Sequence, residues 1–475
     1  MTTFSRPTDK RRRVGLPHIY IILLLCIGMA ALATHWIPAG EYARIPGPEG
    51  RPVIDPGSFH DVAASPASFM DLMLAVPSGL VGSAQIVFFV LIVGGAFAVL
   101  RRTGLIELGV ENLSRRFSDR RLLLIPTLMI VFALLATFIG VPELSMVYVP
   151  ILLPLLIALG YDSVVAAAVA LCATGLGYSV GVFNPLNTGL AQQLADLPLY
   201  SGYSFRITLL AVLLTISIGY IMRYAHCLAR NPARGLMAHD ATERDKRERY
   251  QAIAGHSSSR LSKRQWLAAL LALGCLGLLI FGVTRLGWYM TEISGLFILM
   301  TLLIGAAAGL AGEVICESFT DGCREVMMGA LVVGIARGVA VVLENGHVLD
   351  TMVFVMGQLV SELPPVFSAI GMYAAQLGIN FFIPSGSGQA LVTMPIMAPL
   401  ADIVGVTRQT AVLAFQLGDG MSNIVYPTAG YFMATLGIAG VPWSKWVRFF
   451  LPLFLLWIVT ATAFLILAQI LQWQG

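Results

Sequence analysis

The sequence predicts an all-α polytopic membrane protein built as an inverted repeat, with two re-entrant hairpins and two discontinuous helices. Three observations carry this expectation. The first is composition: 57% of the 475 residues are hydrophobic and 12% are charged. Apolar runs of about 18 or more residues, enough to cross the hydrocarbon core of a bilayer, recur along the chain. The second is a repeat. An apolar stretch in the first half breaks at 140–145, continues through Pro150 and Pro154, and breaks again at 184–189. A stretch in the second half breaks at 384–389, continues through Pro395 and Pro399, and breaks at 418–423. Pro142 recurs as Pro384, Pro185 as Pro427 and Gly104 as Gly346, each 242 residues on. The third is charge. With residue 1 inside, 24 of the 30 Lys and Arg fall on the inner side. Arg44, Arg51, Arg206, Arg285 and Arg408 fall outside, and Arg337 falls within a span. This bias orients the two copies oppositely across the membrane.

The elements follow in order. Residues 1–15 form a basic cytoplasmic tail, and 16–37 a first transmembrane helix. That run is longer than a signal-peptide core and lacks a small-residue cleavage site, so it is expected to be retained. Residues 38–79 read as an extracytoplasmic loop and interfacial segment, rich in turn formers such as Pro38, Gly40, Pro46 and Gly57. The first repeat covers 80–224: a span at 80–100, an amphipathic interfacial piece at 103–117, a hairpin at 122–160, a broken helix at 163–197 and a returning span. Residues 225–264 form a cytoplasmic linker whose charged run at 243–249 reads as solvated. Two transmembrane helices occupy 265–312. The second repeat covers 327–475, with an interfacial piece at 346–363, a hairpin at 365–404, a broken helix at 407–438 and a final span. Charge counting does not distinguish paired arms that re-enter from arms that cross; the polar tips favour re-entrance, because irregular backbone at membrane depth survives only against protein or a water-filled cavity.

The breaks are where chemistry is expected, because interrupted helices in paired repeats mark transporter binding sites. Unwound backbone in a bilayer leaves N–H and C=O groups that cost several kcal/mol each unless something binds them. Half-helix N-termini suit carboxylates, whereas carbonyls with hydroxyls and amides suit a dehydrated cation. The hairpin tips offer Glu143 and Ser145, then Ser385, Ser387 and Gln389. The broken helices offer Asn184, Asn187 and Thr188, then Asp419, Ser422, Asn423 and Thr428. Among these, Asn184, Thr188, Ser387, Ser422 and Asn423 are the candidates for holding Na⁺. Any one break could be a plain loop end, but four in two symmetric pairs argue for a site. Glu143 could be a structural carboxylate; Asp419, between two glycines in an apolar run, is a functional candidate by default. Arg337 could neutralise Glu143 or Asp419, grip a substrate carboxylate, or form a structural ion pair. Glu292, Glu313, Glu344 and Asp350 lie near span ends and read as solvated. Six scattered cysteines form no C-x-x-C pair, so neither a zinc site nor a disulfide framework is indicated. A net charge of +4 on such a chain carries no nucleic-acid meaning.

At this point the residues resemble a known group: the YfcC family, akin to the anaerobic C4-dicarboxylate (DcuC-like) carriers of the ion transporter superfamily. The resemblance covers nearly the whole chain. It is carried by the segments 37–42, 55–60, 184–192, 197–202, 287–292, 335–338 and 384–388. It implies a multi-pass carrier of the bacterial inner membrane, homodimeric, moving by an elevator motion, with dicarboxylates or basic amino acids of the arginine and ornithine type as substrates. The family pattern has two adjacent glutamates at the first tip, where this chain reads Glu143-Leu144. That departure weakens the case for a guanidinium or ammonium pocket, although Glu143 and Asp419 remain. The leading expectation is thus a secondary carrier, symporter or antiporter, of a small carboxylate-bearing metabolite, an amino acid or a C4-dicarboxylate. Na⁺ or H⁺ would be the coupling ion, and no other cofactor is expected. No G-x-x-x-x-G-K-[ST] loop is present to drive it with ATP. An ion channel is the rival class, which two closed hairpin tips would obstruct. A membrane-embedded hydrolase would need a cluster such as H-E-x-x-H, which the sequence lacks.

Overall fold

The computed structural model describes residues 19–47, 52–105, 121–254 and 262–475. The basic tail, most of the interfacial piece at 103–117 and part of the linker lie outside the described residues. Helix α1 (Ile19–Trp36) leads into the expected loop. There, two short antiparallel ladders form: β1 (Gly40–Glu41) with β4 (His60–Asp61), and β2 (Arg44–Pro46) with β3 (Pro52–Ile54). Helix α2 (Phe69–Gly82) opens on a capping box in which the Ser68 hydroxyl accepts from Asp71 N and Asp71 accepts from Ser68 N. Ser83 alone separates it from α3 (Ala84–Arg102).

The counterpart of α2 and α3 in the second half is one continuous 34-residue helix, which we number α12 (Gly312–Asn345). Both copies are longer than the sequence suggested: the first repeat's helix starts at Phe69 rather than near 80, and the second's at Gly312 rather than near 327. Charged residues near the starts hid them, with Asp71 in one and Glu313, Glu317 and Asp321 along the first three turns of the other. The two run antiparallel. Gly94 abuts Gly322 and Val326, while Gly79 abuts Gly334 and Gly338. A Cβ on Gly79 would fall 2.7 Å from Gly338 N, so small residues here let two backbones meet where lipid offers no hydrophobic drive for association.

The first hairpin consists of α4 (Arg121–Ile139), a 3₁₀ turn at Pro142–Leu144 and α5 (Ser145–Ala158). It is followed by α6 (Ser163–Val180), every residue of which is buried. Thr137 Oγ1 donates to Gly177 O at 3.2 Å, so α4 runs parallel to α6; α5 leads into α6 through a short turn and runs against it. Both arms therefore begin and end at the Ser163 end, as a re-entrant hairpin requires. Helix α6 stops at Gly181 in the left-handed region (φ 50°), and the chain resumes through a π-type turn, Pro185–Gly189, into α7 (Leu190–Leu194). Then follow α8 (Tyr203–Arg230), the linker helix α9 (Ala241–Ala254), α10 (Lys263–Leu286) and α11 (Met290–Ala308).

After α12 come α13 (Leu349–Ser361) and the second hairpin, α14 (Pro365–Phe382) and α15 (Gly386–Ile403), whose ends meet where Gly405 lies beside Pro365. The second broken helix is α16 (Arg408–Ser422) and α17 (Gly430–Ala439), and α18 (Trp443–Ile470) ends the fold. Helices α6 and α16 cross antiparallel at their broken ends, Ser179 against Gly420 and Gly175 against Ile424. The inversion is thus visible in both the helix pair and the broken pair. Among the described residues, eight helices are long and apolar enough to cross a membrane.

Two corrections concern charge. The linker's charged run is solvated on one face only: Arg244, Asp245, Glu248 and Arg249 are exposed, whereas its other face docks on the protein. Glu243 is buried, with Oε1 accepting from Ser163 N at 3.0 Å and Oε2 from Ser163 Oγ at 2.5 Å. Lys246 Nζ donates to Ala439 O at 2.7 Å, and Lys445 Nζ to Asp240 Oδ2 at 3.0 Å. A carboxylate thus meets the N-terminus of α6 and an ammonium the C-terminus of α17, each matching its helix dipole. On the opposite face, Asp350 is buried rather than solvated, accepting from Tyr42 N at 3.0 Å and from Arg44 at 2.9 Å.

Candidate functional site

Four interruptions of the chain meet around Asp419. This residue sits three positions before the end of α16 and is fully buried. Its Oδ2 accepts from Tyr178 Oη at 3.0 Å and Asn187 Nδ2 at 2.9 Å, and its Oδ1 from Asn423 Nδ2 at 3.1 Å. Both broken helices thus supply its donors: α6 through Tyr178, the first break through Asn187, and the end of α16 through Asn423. The second hairpin closes over it. A Cβ on Gly386, the first residue of α15, would lie 2.9 Å from Asp419 Oδ2 and 3.2 Å from Asn187 Nδ2. Asn380, at the other side of that tip, donates to Asp419 O at 3.0 Å, Ser422 Oγ at 2.7 Å and Asn423 Oδ1 at 3.0 Å.

The first hairpin tip brings Glu143. Its Oε1 takes a long hydrogen bond, 3.4 Å, from Tyr289 Oη at the start of α11, and its Oε2 is buried with no hydrogen-bond partner among the described residues. Gly140, at the same tip, presses on the Asn184 side chain, whose Oδ1 accepts from Asn187 N at 3.1 Å. Ser145 shares a hydrogen bond of 3.0 Å with Thr435 of α17. Glu143 and Asp419 lie close enough to interact electrostatically, and Tyr178 and Tyr431 interact with both. Several buried oxygens here have no partner among the described residues: Glu143 Oε2, Asn187 Oδ1, Asn380 Oδ1, Thr428 Oγ1 and Tyr431 Oη. Such groups are costly to bury unsatisfied, so they mark where a polar ligand or water would bind.

The structure therefore brings Glu143, Ser145, Asn184, Asn187, Asp419, Ser422 and Asn423 into one region, with Thr428 buried further along the second break. Thr188 lies at its edge, donating to Gly181 O at 2.6 Å and accepting from Gln416. Ser385 caps α15 by accepting from Gly388 N at 3.3 Å, and Ser387 is half-buried at the same tip. Two candidates belong elsewhere. Gln389 braces the second hairpin's arms, donating to Gln376 O at 3.0 Å and Gln376 Oε1 at 2.7 Å. Arg337 neutralises neither carboxylate of the site; it pairs with Glu344 at 2.9 Å, two turns along its own helix. Sequence reasoning missed Tyr178, Asn380, Gln416, Arg206 and Tyr431. Arg206, counted as an exposed outer charge, is fully buried, and donates to Val180 O at 3.1 Å and to Gln416 Oε1.

The family profile of the C4-dicarboxylate anaerobic carriers, DcuC, matches residues 16–470. The chain is 32% identical over 510 aligned positions to Escherichia coli (strain K12) YfcC, provisionally named a basic amino acid antiporter, with 99% of each chain covered. It is 29% identical over 406 positions to an uncharacterised Haemophilus influenzae protein, covering 85% of this chain and 79% of the relative. Among solved structures, Neisseria gonorrhoeae MtrF, from a class of antimetabolite efflux pumps, superposes at a TM-score of 0.40 with 18% identity over 95% of both chains. Alcanivorax borkumensis YdaH, a transporter of unusual topology, superposes at 0.40 with 16% identity, covering 96% of this chain and 99% of that one. The chain is a member of the DcuC family of membrane carriers.

Proposed function

We propose that the protein is a secondary carrier for a small cationic metabolite of the basic amino acid class, exchanging or cotransporting it across a bacterial inner membrane as a homodimer with residue 1 on the cytoplasmic side. One observation supports this substrate class above all. The site holds two buried carboxylates, Glu143 and Asp419, and among the described residues no cation pairs with them: Arg337 is held by Glu344, and Arg206 donates to Val180 O. A guanidinium or ammonium group would complete such a pair with charge-assisted hydrogen bonds. A dicarboxylate would add like charge to a region of low dielectric, where repulsion is strong. The substrate's own carboxylate would suit the N-terminus of α15, whose first residue adjoins Asp419. The name of the Escherichia coli relative points the same way, whereas the family description names C4-dicarboxylates. The Lys and Arg asymmetry supports the orientation.

The test is counterflow in proteoliposomes, with labelled arginine, lysine or ornithine set against labelled succinate, fumarate or aspartate. Arginine-class exchange is expected, abolished by Asp419→Asn and strongly reduced by Asn184→Ala and Ser387→Ala. Exchange of succinate but of no basic amino acid would overturn the substrate class. Normal exchange by all three variants would overturn the site.

A further inference from the structure

We infer that Arg206 is a built-in cation occupying the place a coupling Na⁺ would take at the first helix break, and that this carrier works without Na⁺. The inference deepens the transport reading above and rests on it. A broken helix can hold Na⁺ only if the carbonyls released by the break face an open space. Here several of them are taken by the protein's own donors. At the first break, Val180 O accepts from Arg206 Nη1 at 3.1 Å, Tyr178 O from Gln416 Nε2 at 3.4 Å, and Gly181 O from Thr188 Oγ1 at 2.6 Å. At the second, Asp419 O accepts from Asn380 Nδ2 at 3.0 Å and from Ser422 Oγ at 3.3 Å. Beyond them, Ile424 O accepts from Trp446 Nε1 at 2.8 Å and Val425 O from Trp443 Nε1 at 3.0 Å.

Arg206 does at the first break what a bound metal cation would do. Its guanidinium is fully buried and forms no ion pair with an acid among the described residues. Its charge meets the negative pole of α6, the carbonyl of the last residue of that half-helix. The face of Trp473, its centroid 5.8 Å from the guanidinium carbon, gives further compensation. A fixed arginine is permanently charged and cannot leave, so it stabilises the unwound segment in every state of the cycle, whereas Na⁺ would bind and unbind. Of the side chains expected to hold Na⁺, all but Ser387 are engaged in the same network. Thr188 and Ser422 donate to carbonyls, and the amide oxygens of Asn184 and Asn423 accept from Asn187 N and Asn380. What remains open is carboxylate oxygen, on Glu143 and Asp419, together with the neutral oxygens Asn187 Oδ1, Asn380 Oδ1, Thr428 Oγ1 and Tyr431 Oη, which have no partner among the described residues; the carboxylates suit H⁺ or the charged substrate itself, and the neutral oxygens its polar groups.

The experiment has two arms on the purified full-length protein. In the first, ²²Na⁺ binding and the melting temperature are measured for wild type and Arg206→Gln, in NaCl and in choline chloride. Wild type is expected to bind no Na⁺ saturably and to melt alike in both salts. Arg206→Gln is expected to gain saturable Na⁺ binding and a Na⁺-dependent rise in melting temperature. Saturable binding to wild type, or a folded variant indifferent to Na⁺, overturns the inference; if the variant does not fold, ²²Na⁺ binding to wild type decides alone. In the second arm, arginine counterflow is compared in the two salts. A wild-type rate unchanged within twofold is expected, and a tenfold fall without Na⁺ overturns the inference. Absence of counterflow for every compound in both salts would instead refute the transport reading, leaving the binding arm to decide on Na⁺.

Discussion

Gly386→Ala tests whether closure of the second hairpin over Asp419 creates the site. Gly386 has ordinary backbone angles, so alanine is not strained there by conformation; the obstacle is space. The added Cβ would land on Tyr178 Oη, 2.9 Å from Asp419 Oδ2 and 3.2 Å from Asn187 Nδ2. Either Tyr178 surrenders its hydrogen bond to Asp419, which for a charged acceptor is worth about 1.5–3 kcal/mol, or the tip lifts, at about 1–3 kcal/mol for overpacking. A loss of about 2–3 kcal/mol from the closed, ligand-holding state corresponds to roughly 30- to 150-fold weaker binding. The assay is the half-saturation concentration for counterflow, together with ligand-induced stabilisation in a thermal-shift titration. Gly219→Ala is the matched control: it lies inside α8 with nothing within 4 Å of its added Cβ, and should leave binding unchanged while gaining about 1 kcal/mol of helix propensity. Unaltered half-saturation in Gly386→Ala would show that the hairpin tip does not close on Asp419 when substrate binds.

Four other outcomes are expected. Asp419→Asn should fold and keep a melting temperature near that of wild type, yet lose about 100-fold in counterflow, since one charged contact of about 3 kcal/mol disappears; retention of half the rate would rule out a substrate-binding carboxylate. Glu243→Ala leaves Ser163 N buried without its acceptor and should destabilise by about 1–3 kcal/mol, read as a lower melting temperature; no change would mean that the linker does not clamp α6. Arg337→Ala breaks a half-exposed pair worth at most about 1 kcal/mol, so counterflow should stay within a few-fold of wild type, and its abolition would return Arg337 to the site. The fourth concerns Asp162, in the connection between α5 and α6. Burial pushes its carboxyl up to about 6 against the opposing hydrogen bonds from Tyr224 and Val165 N, with Glu243 raising it further and Arg247 lowering it. A carboxyl raised above its unfolded value of 3.8 contributes stability that is complete below that value and lost as pH rises through about 6. Wild type should therefore melt higher at pH 5 than at pH 7, and Asp162→Asn, which keeps the helix cap, should flatten that slope; an identical slope in the variant would exclude Asp162 as its source.

The parts of the molecule that sequence made legible are those where local chemistry contradicts an apolar helix. Pro142, Pro185, Pro384 and Pro427 stop helices for covalent reasons, and their constant spacing exposes the repeat. Asp419 between glycines in an apolar run announced itself for the same reason. The unread parts lie where identity is ordinary and only azimuth matters. Tyr178 and Gln416 sit on helices so deeply enclosed that every face is buried, so no periodicity separates the polar contact from the packing. Arg337 shows the limit from the other side. Its depth along the chain placed it at the site, yet Glu344 seven residues later shares its helix face, and that spacing, available from the sequence, favoured the internal pair that forms. Arg206 carried a signal too: an arginine four residues after Gly202, inside the opening of an apolar helix, has no water to face once that helix packs against a broken neighbour. A buried charge then needs a partner of opposite sign, and in a chain whose helices end inside the protein, the end of a half-helix can be that partner. The same interruption that creates a binding site thus also creates the demand for a fixed cation, and the helix that returns next to the break is where the fold supplies it.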